Sequence, residues 1–378
     1  MSIASPFAAR RFLSRRLRRY RRQAMTDLIH PARFFHADGE HLLCTACPRH
    51  CRLADGQHGF CYVRKNQGGR LDLIAYGRPS AVAVDPIEKK PLFHFLPGSN
   101  ILSIGTAGCN LGCRYCQNSD LSRSRSIHDR SMELPPAAVP GLCEEHGADS
   151  VAFTYNDPSV FPEYAIDIAR ACREVGIATV AVTAGYLGPE ARAELFEVID
   201  AANIDLKAFS EDFYRKLSLA SLAPVLETIE HCVEAKVWVE LTTLVIPGHN
   251  DSDEELAAEA RWIASTLGRD VPLHLTAFHP SFKMLDVPPT RPETLRRARR
   301  IALDEGLRYV YTGNVVDADG DTTRCHACGS VLIERSWFAV ARNELAGTGK
   351  CPKCHASIPG LFDARSKRSS TGRRRGLL

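Results

Sequence analysis

Three cysteines, Cys109, Cys113 and Cys116, stand at C-x3-C-x2-C spacing within GTAGCNLGCRYCQN, residues 105–118. Three thiolates so close together can hold three corners of a cubane iron–sulfur cluster, where a closed site takes four cysteines. The fourth iron is then left without a protein ligand, and an open metal position is where a small molecule binds and is activated. A structural zinc would use the same thiolates, but no adjacent histidine or fourth cysteine completes a tetrahedron within this loop.

Two further sets come in fours. Cys325-x2-Cys328 and Cys351-x2-Cys354 are paired knuckles separated by 22 residues. Four soft thiolates on two turns make a closed tetrahedral site, read most simply as a zinc ribbon, although a single rubredoxin-like iron takes the same ligands. His326 and His355 are spare. Cys44-x2-Cys47-x3-Cys51-x9-Cys61 also supplies four thiolates, enough for zinc or for a fully ligated second iron–sulfur cluster. Its spacing does not separate the two, and a redox-inert structural metal is slightly favoured. His50 and His58 are potential substitutes for a cysteine there. These three sets take eleven of the fourteen cysteines. That usage points to metal binding in a reducing, cytoplasmic setting rather than to a secreted disulfide framework. Cys143, Cys172 and Cys232 fall in amphipathic helical stretches and read as small buried hydrophobes.

The formal net charge of +4 conceals a polarity along the chain. Arg10–Arg22 holds eight arginines and no acid, and Arg365–Arg375 adds six basic residues, so removing these 14 from +4 leaves about −10 for the rest. The basic ends read as solvated tails, or at the N-terminus as translation begun ahead of Met25. An organelle-targeting peptide, or an arm touching nucleic acid or anionic membrane, is the alternative. The acidic body lacks the basic face that nucleic-acid binding requires. No run of apolar residues approaches the ~18–20 of a membrane span.

The elements that must position the triplet follow from hydrophobic patterning. Short β-branched runs at 101–106, 150–155, 178–183, 203–206, 237–245 and 273–278 alternate with helical stretches. These predict βα units on a parallel sheet, and six such units suit an α/β fold with a partial (β/α)6 TIM-like barrel. A last strand-like segment, 307–315, leads to the zinc-ribbon region. The predicted organisation is a basic tail without fixed structure (1–35), a small Cys-rich domain (36–99), the partial barrel (100–316), a zinc-ribbon-like domain (317–364) and a second basic tail (365–378). Cys109 follows the first barrel strand by a few residues. The triplet is thus predicted at the barrel mouth, where the C-terminal strand ends gather active-site residues. Tyr115, beside Cys116, can shield one face of that site and contact a bound adenine.

The triplet in this setting resembles the radical S-adenosylmethionine (SAM) superfamily. FTYNDPSV (153–160), AVTAGYL (181–187), DLKAFSEDFY (205–214), ELTTLVIPGHNDSDEE (240–255), HLTAFHPSFKM (274–284) and YVYTGN (309–314) resemble enzymes of the AmmeMemoRadiSam system, relatives of pyruvate formate-lyase activating enzyme. CTACPRHC and DPIEKKPLFHFLPGS (85–99) extend the likeness over most of the chain. The resemblance implies a [4Fe–4S] cluster on Cys109, Cys113 and Cys116 that reduces SAM to methionine and a 5′-deoxyadenosyl radical, which abstracts a substrate hydrogen. It also implies a reductant such as flavodoxin or ferredoxin, with other proteins of that system as partners.

Further site residues are carried over by position. Asp157 stands where related enzymes hold the SAM amino group with a Gly-Gly-Glu-like motif. Here Tyr155 and Asn156 replace the glycines, with Asn156 assisting; Asn-Asp-Pro is also an ordinary helix-start turn. Lys207 can pair with the SAM carboxylate, and Asp205, two residues earlier, faces the same side of the strand, so that by resemblance both face the cofactor; a buried salt bridge at the barrel mouth is the alternative. Gly185 permits close backbone approach, whereas Ala184 takes the place of a polar residue common in relatives. His279 resembles a ribose-contacting histidine, and Val245–Gly248 would pack on adenine. The expected activity is radical chemistry on a protein or peptide, as in activating enzymes. Radical modification of a small molecule and a metal-stabilised nucleic-acid-binding protein are the alternatives.

Overall fold

The computed structural model describes residues 30–125 and 131–363. The arginine-rich segment 10–22, Met25 and the basic run 365–375 lie outside them. The central element is an eight-stranded sheet with β1 (Ala81–Pro86), β2 (Asn100–Gly105), β3 (Ala148–Phe153), β4 (Ala178–Thr183), β5 (Ala201–Asp205), β6 (Trp238–Val245), β7 (Leu273–Ala277) and β8 (Val310–Gly313). Their spatial order is their chain order, with β1 and β8 at open edges. From β2 to β8 every pairing is parallel, and β1 lies antiparallel to β2.

Each gap from β2 to β8 is crossed by a helix: α1 (Val139–Glu145), α2 (Pro162–Glu174), α3 (Pro189–Phe196), α4 (Ala223–Glu234), α5 (Asp253–Trp262) and α6 (Pro292–Asp304). The six predicted βα units are therefore present and the barrel is not closed. Two strands extend the predicted set: β8, from the 307–315 segment, and β1, whose Asp and Pro hid it. Helix starts follow local chemistry. Proline occupies the first turn of α2, α3 and α6, where its missing N–H costs nothing. Ser252 caps α5 by accepting from the Glu255 N–H, and Asp253, Glu254 and Glu255 place negative charge at the positive end of the helix dipole. All residues of β3 and β7 are buried, as expected for parallel strands covered on both faces.

Residues 30–73 form two three-stranded antiparallel sheets, His30–Pro31/Arg70–Leu73/Arg64–Gln67 and Phe35–Asp38/His41–Cys44/Arg52–Leu53. His30, Pro31 and Phe35, expected within the N-terminal tail, are thus already in strand pairings. A third small sheet, Thr323–Arg324/Val331–Ser336/Ala339–Asn343, belongs to the C-terminal Cys-rich region. This region docks at the N-terminal ends of β6–β8, opposite the loops expected to carry the site. The buried Glu240 carboxylate in β6 accepts from Phe93 N, His94 N, Trp238 Nε1 and His274 Nε2 at 2.7–3.0 Å. Arg335 of the third sheet donates to Phe93 O at 2.8 Å.

His94 is the keystone of that joint. Its Nδ1 lies 2.8 Å from the Pro359 carbonyl, which can only accept, so the proton sits on Nδ1 and Nε2 accepts from the Tyr311 hydroxyl at 2.6 Å. Burial pushes its pKa down to about 4. An unfolded histidine titrates near 6.5, so between those values the unfolded chain binds a proton that the native state refuses. Stability therefore falls as pH drops from about 6.5 to 4, with a ceiling of ~3 kcal/mol. Denaturant melts between pH 7.5 and 4.5 should show this slope in the wild type and a shallower one in His94→Gln. Equal slopes in the two proteins would exclude the mechanism.

Candidate functional site

The loop from Thr106 to Asn118, directly after β2, carries Cys109, Cys113 and Cys116, all partly buried. Four neighbouring strand ends hold it. After β3, Asn156 clamps its start: Nδ2 donates to Thr106 Oγ1 at 3.0 Å and to Gly108 O at 2.8 Å, while Oδ1 accepts from Thr106 N at 3.2 Å. Tyr155, at φ +71°, makes the left-handed turn that sends Asn156 back to the loop. After β4, the Tyr186 carbonyl accepts from Asn110 Nδ2 at 2.8 Å. After β5, the helical turn Tyr214–Ser218 supplies two carbonyls, Ser218 O to Gly112 N and Leu217 O to Arg114 N, both at 2.8 Å. After β7, Ser281 Oγ donates to Cys116 O at 3.2 Å and Lys283 N to Arg114 O at 2.9 Å.

The sulfurs receive local donors. Leu111 N–H points at Cys109 Sγ (3.4 Å), and Ser122 Oγ lies 3.3 Å from Cys116 Sγ. Such hydrogen bonds to sulfur tune an iron–sulfur cluster. Burial pushes the Cys109 thiol well above its usual range, with the Asp157 carboxylate adding to the effect. Burial also raises Cys113, and here the Lys207 ammonium opposes it. Thiols so placed become thiolates when a metal supplies the positive charge. The donor set fits a cluster held at three corners.

The other expected site residues divide into two kinds. Lys207, after β5, lies close enough to Cys113 and Tyr115 to feel both. Its Nζ pairs with Asp205 Oδ2 at 2.9 Å, with the lysine side chain 13% and the aspartate 38% exposed. Burial works against the ammonium, yet Asp205, Cys113 and Tyr115 together lift its pKa well above the lysine range. His279 is exposed after β7, with Nε2 3.4 Å from Asn314 O, two residues from the Ser281 tie to the loop. Gly185, at φ +68°, has its N–H bound to Thr183 Oγ1 at 3.0 Å; a Cβ there would meet Ile204 at 3.2 Å.

Asp157, Asn156 and Tyr115 are committed to the fold. Asp157 Oδ1 accepts from Ser159 N (2.9 Å) and Thr183 Oγ1 (3.0 Å), and Oδ2 accepts from Ala184 N (2.7 Å). Three of about four lone-pair positions are filled, and the side chain is buried. It acts as the helix-start cap that its Asn-Asp-Pro context suggests, and it fixes the β4 turn. Asn156 is spent on the loop clamp. Tyr115 packs beside the site: its ring is buried among Phe213, Leu217, Ile246 and Phe278, its hydroxyl is 2.9 Å from Ser218 Oγ, and it lies within electrostatic reach of Cys113 and Lys207. It also anchors the loop.

Sequence reasoning missed three loop holders. Arg49, from the N-terminal cysteine region, donates to Asn110 O and Leu219 O. Ser218 and Asn110 make the contacts given above. Only Asn110, inside the cysteine motif, carried a signal.

The C-terminal four are arranged differently. The sulfurs of Cys325 and Cys354 are 3.5 Å apart, those of Cys328 and Cys351 3.7 Å, and all four lie within 4.8 Å of one another. Four sulfurs each roughly 2.3 Å from one ion stand about 3.8 Å apart at tetrahedral angles. The set fits a single tetrahedral metal.

Comparison with known proteins agrees with the geometry. The sequence model of the radical SAM superfamily matches residues 103–260, which span β2 to α5 and include the triplet. An uncharacterized protein of Methanocaldococcus jannaschii is 40% identical over 322 residues, covering 85% of this chain and 96% of its own. The pyruvate formate-lyase 1-activating enzyme of Escherichia coli is 23% identical over 219 residues, 54% of this chain and 89% of that enzyme. The benzylsuccinate synthase activating enzyme of Thauera aromatica is 24% identical over 264 residues, 65% and 76% of the two chains. The matched range takes in the three-cysteine loop after the first parallel strand and the strand ends that clamp it, and the chain belongs to the radical SAM superfamily, as an enzyme of that class.

Proposed function

We propose that Cys109, Cys113 and Cys116 hold a [4Fe–4S] cluster, and that the enzyme cleaves SAM to methionine and a 5′-deoxyadenosyl radical that takes hydrogen from a protein or peptide. The observation that carries this reading is the triplet itself: three thiols on one loop, with Lys207 beside Cys113. When bound, the cluster supplies a low-potential electron and an open iron for the amino and carboxylate groups of SAM.

The chain's own residues then bind and orient. Lys207 offers an ammonium to the SAM carboxylate, held in place by Asp205. The Asp157 lone pair that the fold leaves free accepts from the SAM amino group. His279 meets the ribose, and Gly185 lets the backbone approach. Asn156 and Tyr115 act through the loop as positioning residues. Cys325, Cys328, Cys351 and Cys354 hold a zinc that folds the C-terminal region, remote from the mouth. Among the described residues no helix is long and apolar enough to cross a membrane.

The protein-substrate assignment rests on likeness to activating enzymes, named for the pyruvate formate-lyase and benzylsuccinate synthase they serve. The partners proposed are a flavodoxin- or ferredoxin-type reductant and other proteins of the AmmeMemoRadiSam system. Anaerobic protein reconstituted with iron and sulfide, then given dithionite and SAM, should release 5′-deoxyadenosine and methionine; absence of both sinks the reading. Deuterium transfer from a labelled candidate protein into 5′-deoxyadenosine would support a protein substrate, and transfer only from small molecules would replace it.

A further inference from the structure

We propose that Cys44, Cys47, Cys51 and Cys61 hold a second, fully ligated [4Fe–4S] cluster, packed against the loop that carries Cys109. The two sets of four cysteines in this chain differ in one measurable way. The C-terminal four are the one set, among the described residues, whose ligand atoms all lie within 4.8 Å of one another. The N-terminal four converge on a common space but are spread wider, as is the Cys109 triplet. A cubane holds its thiolates on four separate irons, so their sulfurs stand farther apart than around one ion.

All four cysteines border one small cavity: Cys44, Cys47, Cys51 and Cys61 line a void of about 10 Å³ together with Arg49, Arg64 and Asn110. The inner wall is Gly59, whose Cβ position lies 3.7 Å from both the Cys51 and Cys61 sulfurs. Phe60 N–H points at Cys51 Sγ at 3.5 Å, the kind of donor that cluster sulfurs take.

The surroundings suit a buried anionic cluster. The guanidinium of Arg64, 2% exposed, lies in the wall and opposes the negative charge of four thiolates. Arg49, stacked 3.6 Å over the Phe60 ring, covers the cavity and donates to Asn110 O of the triplet's loop. Cys61 and the triplet share a backbone contact: a Cβ on Gly108, the residue before Cys109, would fall on the Cys61 carbonyl oxygen.

The test uses the full chain and reads metal content rather than activity. A Cys109→Ala/Cys113→Ala/Cys116→Ala variant leaves the N-terminal region intact. After anaerobic reconstitution and desalting it should retain about four iron and four sulfide per chain. On dithionite it should give a reduced-cluster paramagnetic signal that SAM leaves unchanged, because no iron is open. Adding Cys47→Ser to that variant should remove the iron. A triple variant with no iron and about two zinc per chain would overturn the proposal, since both sets of four would then be zinc sites. Failure of the triplet reading looks different: wild type and triple variant would carry equal iron, and SAM would not alter the wild-type signal.

Discussion

Replacing Cys113 by alanine should reduce 5′-deoxyadenosine formation to the no-enzyme background, a loss of at least ~10³-fold or ~4 kcal/mol in the barrier. Cys113 lies within electrostatic reach of the Lys207 ammonium, and its neighbour Arg114 is tied by backbone hydrogen bonds to Leu217 and Lys283. Removing the thiol deletes one of three corners, and no other cysteine follows the strand ends near enough to replace it. The backbone ties of Gly112 and Arg114 do not involve the side chain, so the variant should keep its fold and melt close to wild type. Loss of product with an unchanged melting temperature is the expected pair of results. Product formation within tenfold of wild type would remove Cys113 from the chemistry. Lys207→Met should differ in kind: the loop keeps its three thiols, and the defect appears as weaker SAM binding, because a carboxylate loses its partner.

What the sequence disclosed, and what it hid, divides by the range of the interactions. The strands β2 to β7 were legible because parallel strands buried on both faces need short β-branched runs. The triplet and the C-terminal pairs were legible because metal ligands on one turn keep fixed short spacings. β1 was missed because an edge strand tolerates the Asp85 and Pro86 that argue against a strand elsewhere. The packing of Tyr115 was not legible, because its position beside Cys116 says nothing of its direction. The pocket that receives it is built by Phe213, Ile246 and Phe278, and its hydroxyl partner Ser218 is 103 residues away. Arg49 was invisible for the same reason, since it reaches a carbonyl 170 residues on. Asp157 shows how a motif can serve two readings. Its spacing fits ligand binding, yet most of its hydrogen-bonding capacity goes to Ser159, Thr183 and Ala184.

Arg64→Leu should destabilise the protein by about 3–5 kcal/mol, the largest effect expected from a single change at a residue that is not itself a metal ligand. Arg64 and Glu163 are 2% and 1% exposed and meet in a two-pronged pair at 2.9 and 2.8 Å, joining the N-terminal region to the first turn of α2. Arg64 also donates to Arg33 O at 2.9 Å, and Arg33 N–H donates to Glu163 at 2.8 Å. Leucine would leave the Glu163 carboxylate enclosed with no cation. Burial alone pushes that carboxyl's pKa up; in the wild type the arginine overrides this and holds it below the usual range. In the variant the folded-state pKa should therefore rise above the unfolded value of about 4.3. A group with a raised folded pKa favours the native state below its unfolded pKa and loses that contribution as pH rises. The deficit of Arg64→Leu should thus shrink between pH 7 and pH 5, while wild type shows no such gain. Arg64→Leu/Glu163→Leu should recover part of the loss, because it removes the stranded charge, though not all, since Arg64 also faces Cys44 and Cys61. Denaturant melts of wild type, Arg64→Leu, Glu163→Leu and the double variant, holding metal content fixed, give the coupling directly. A double variant as unstable as the sum of the singles would show that the pair is not what holds the N-terminal region to α2.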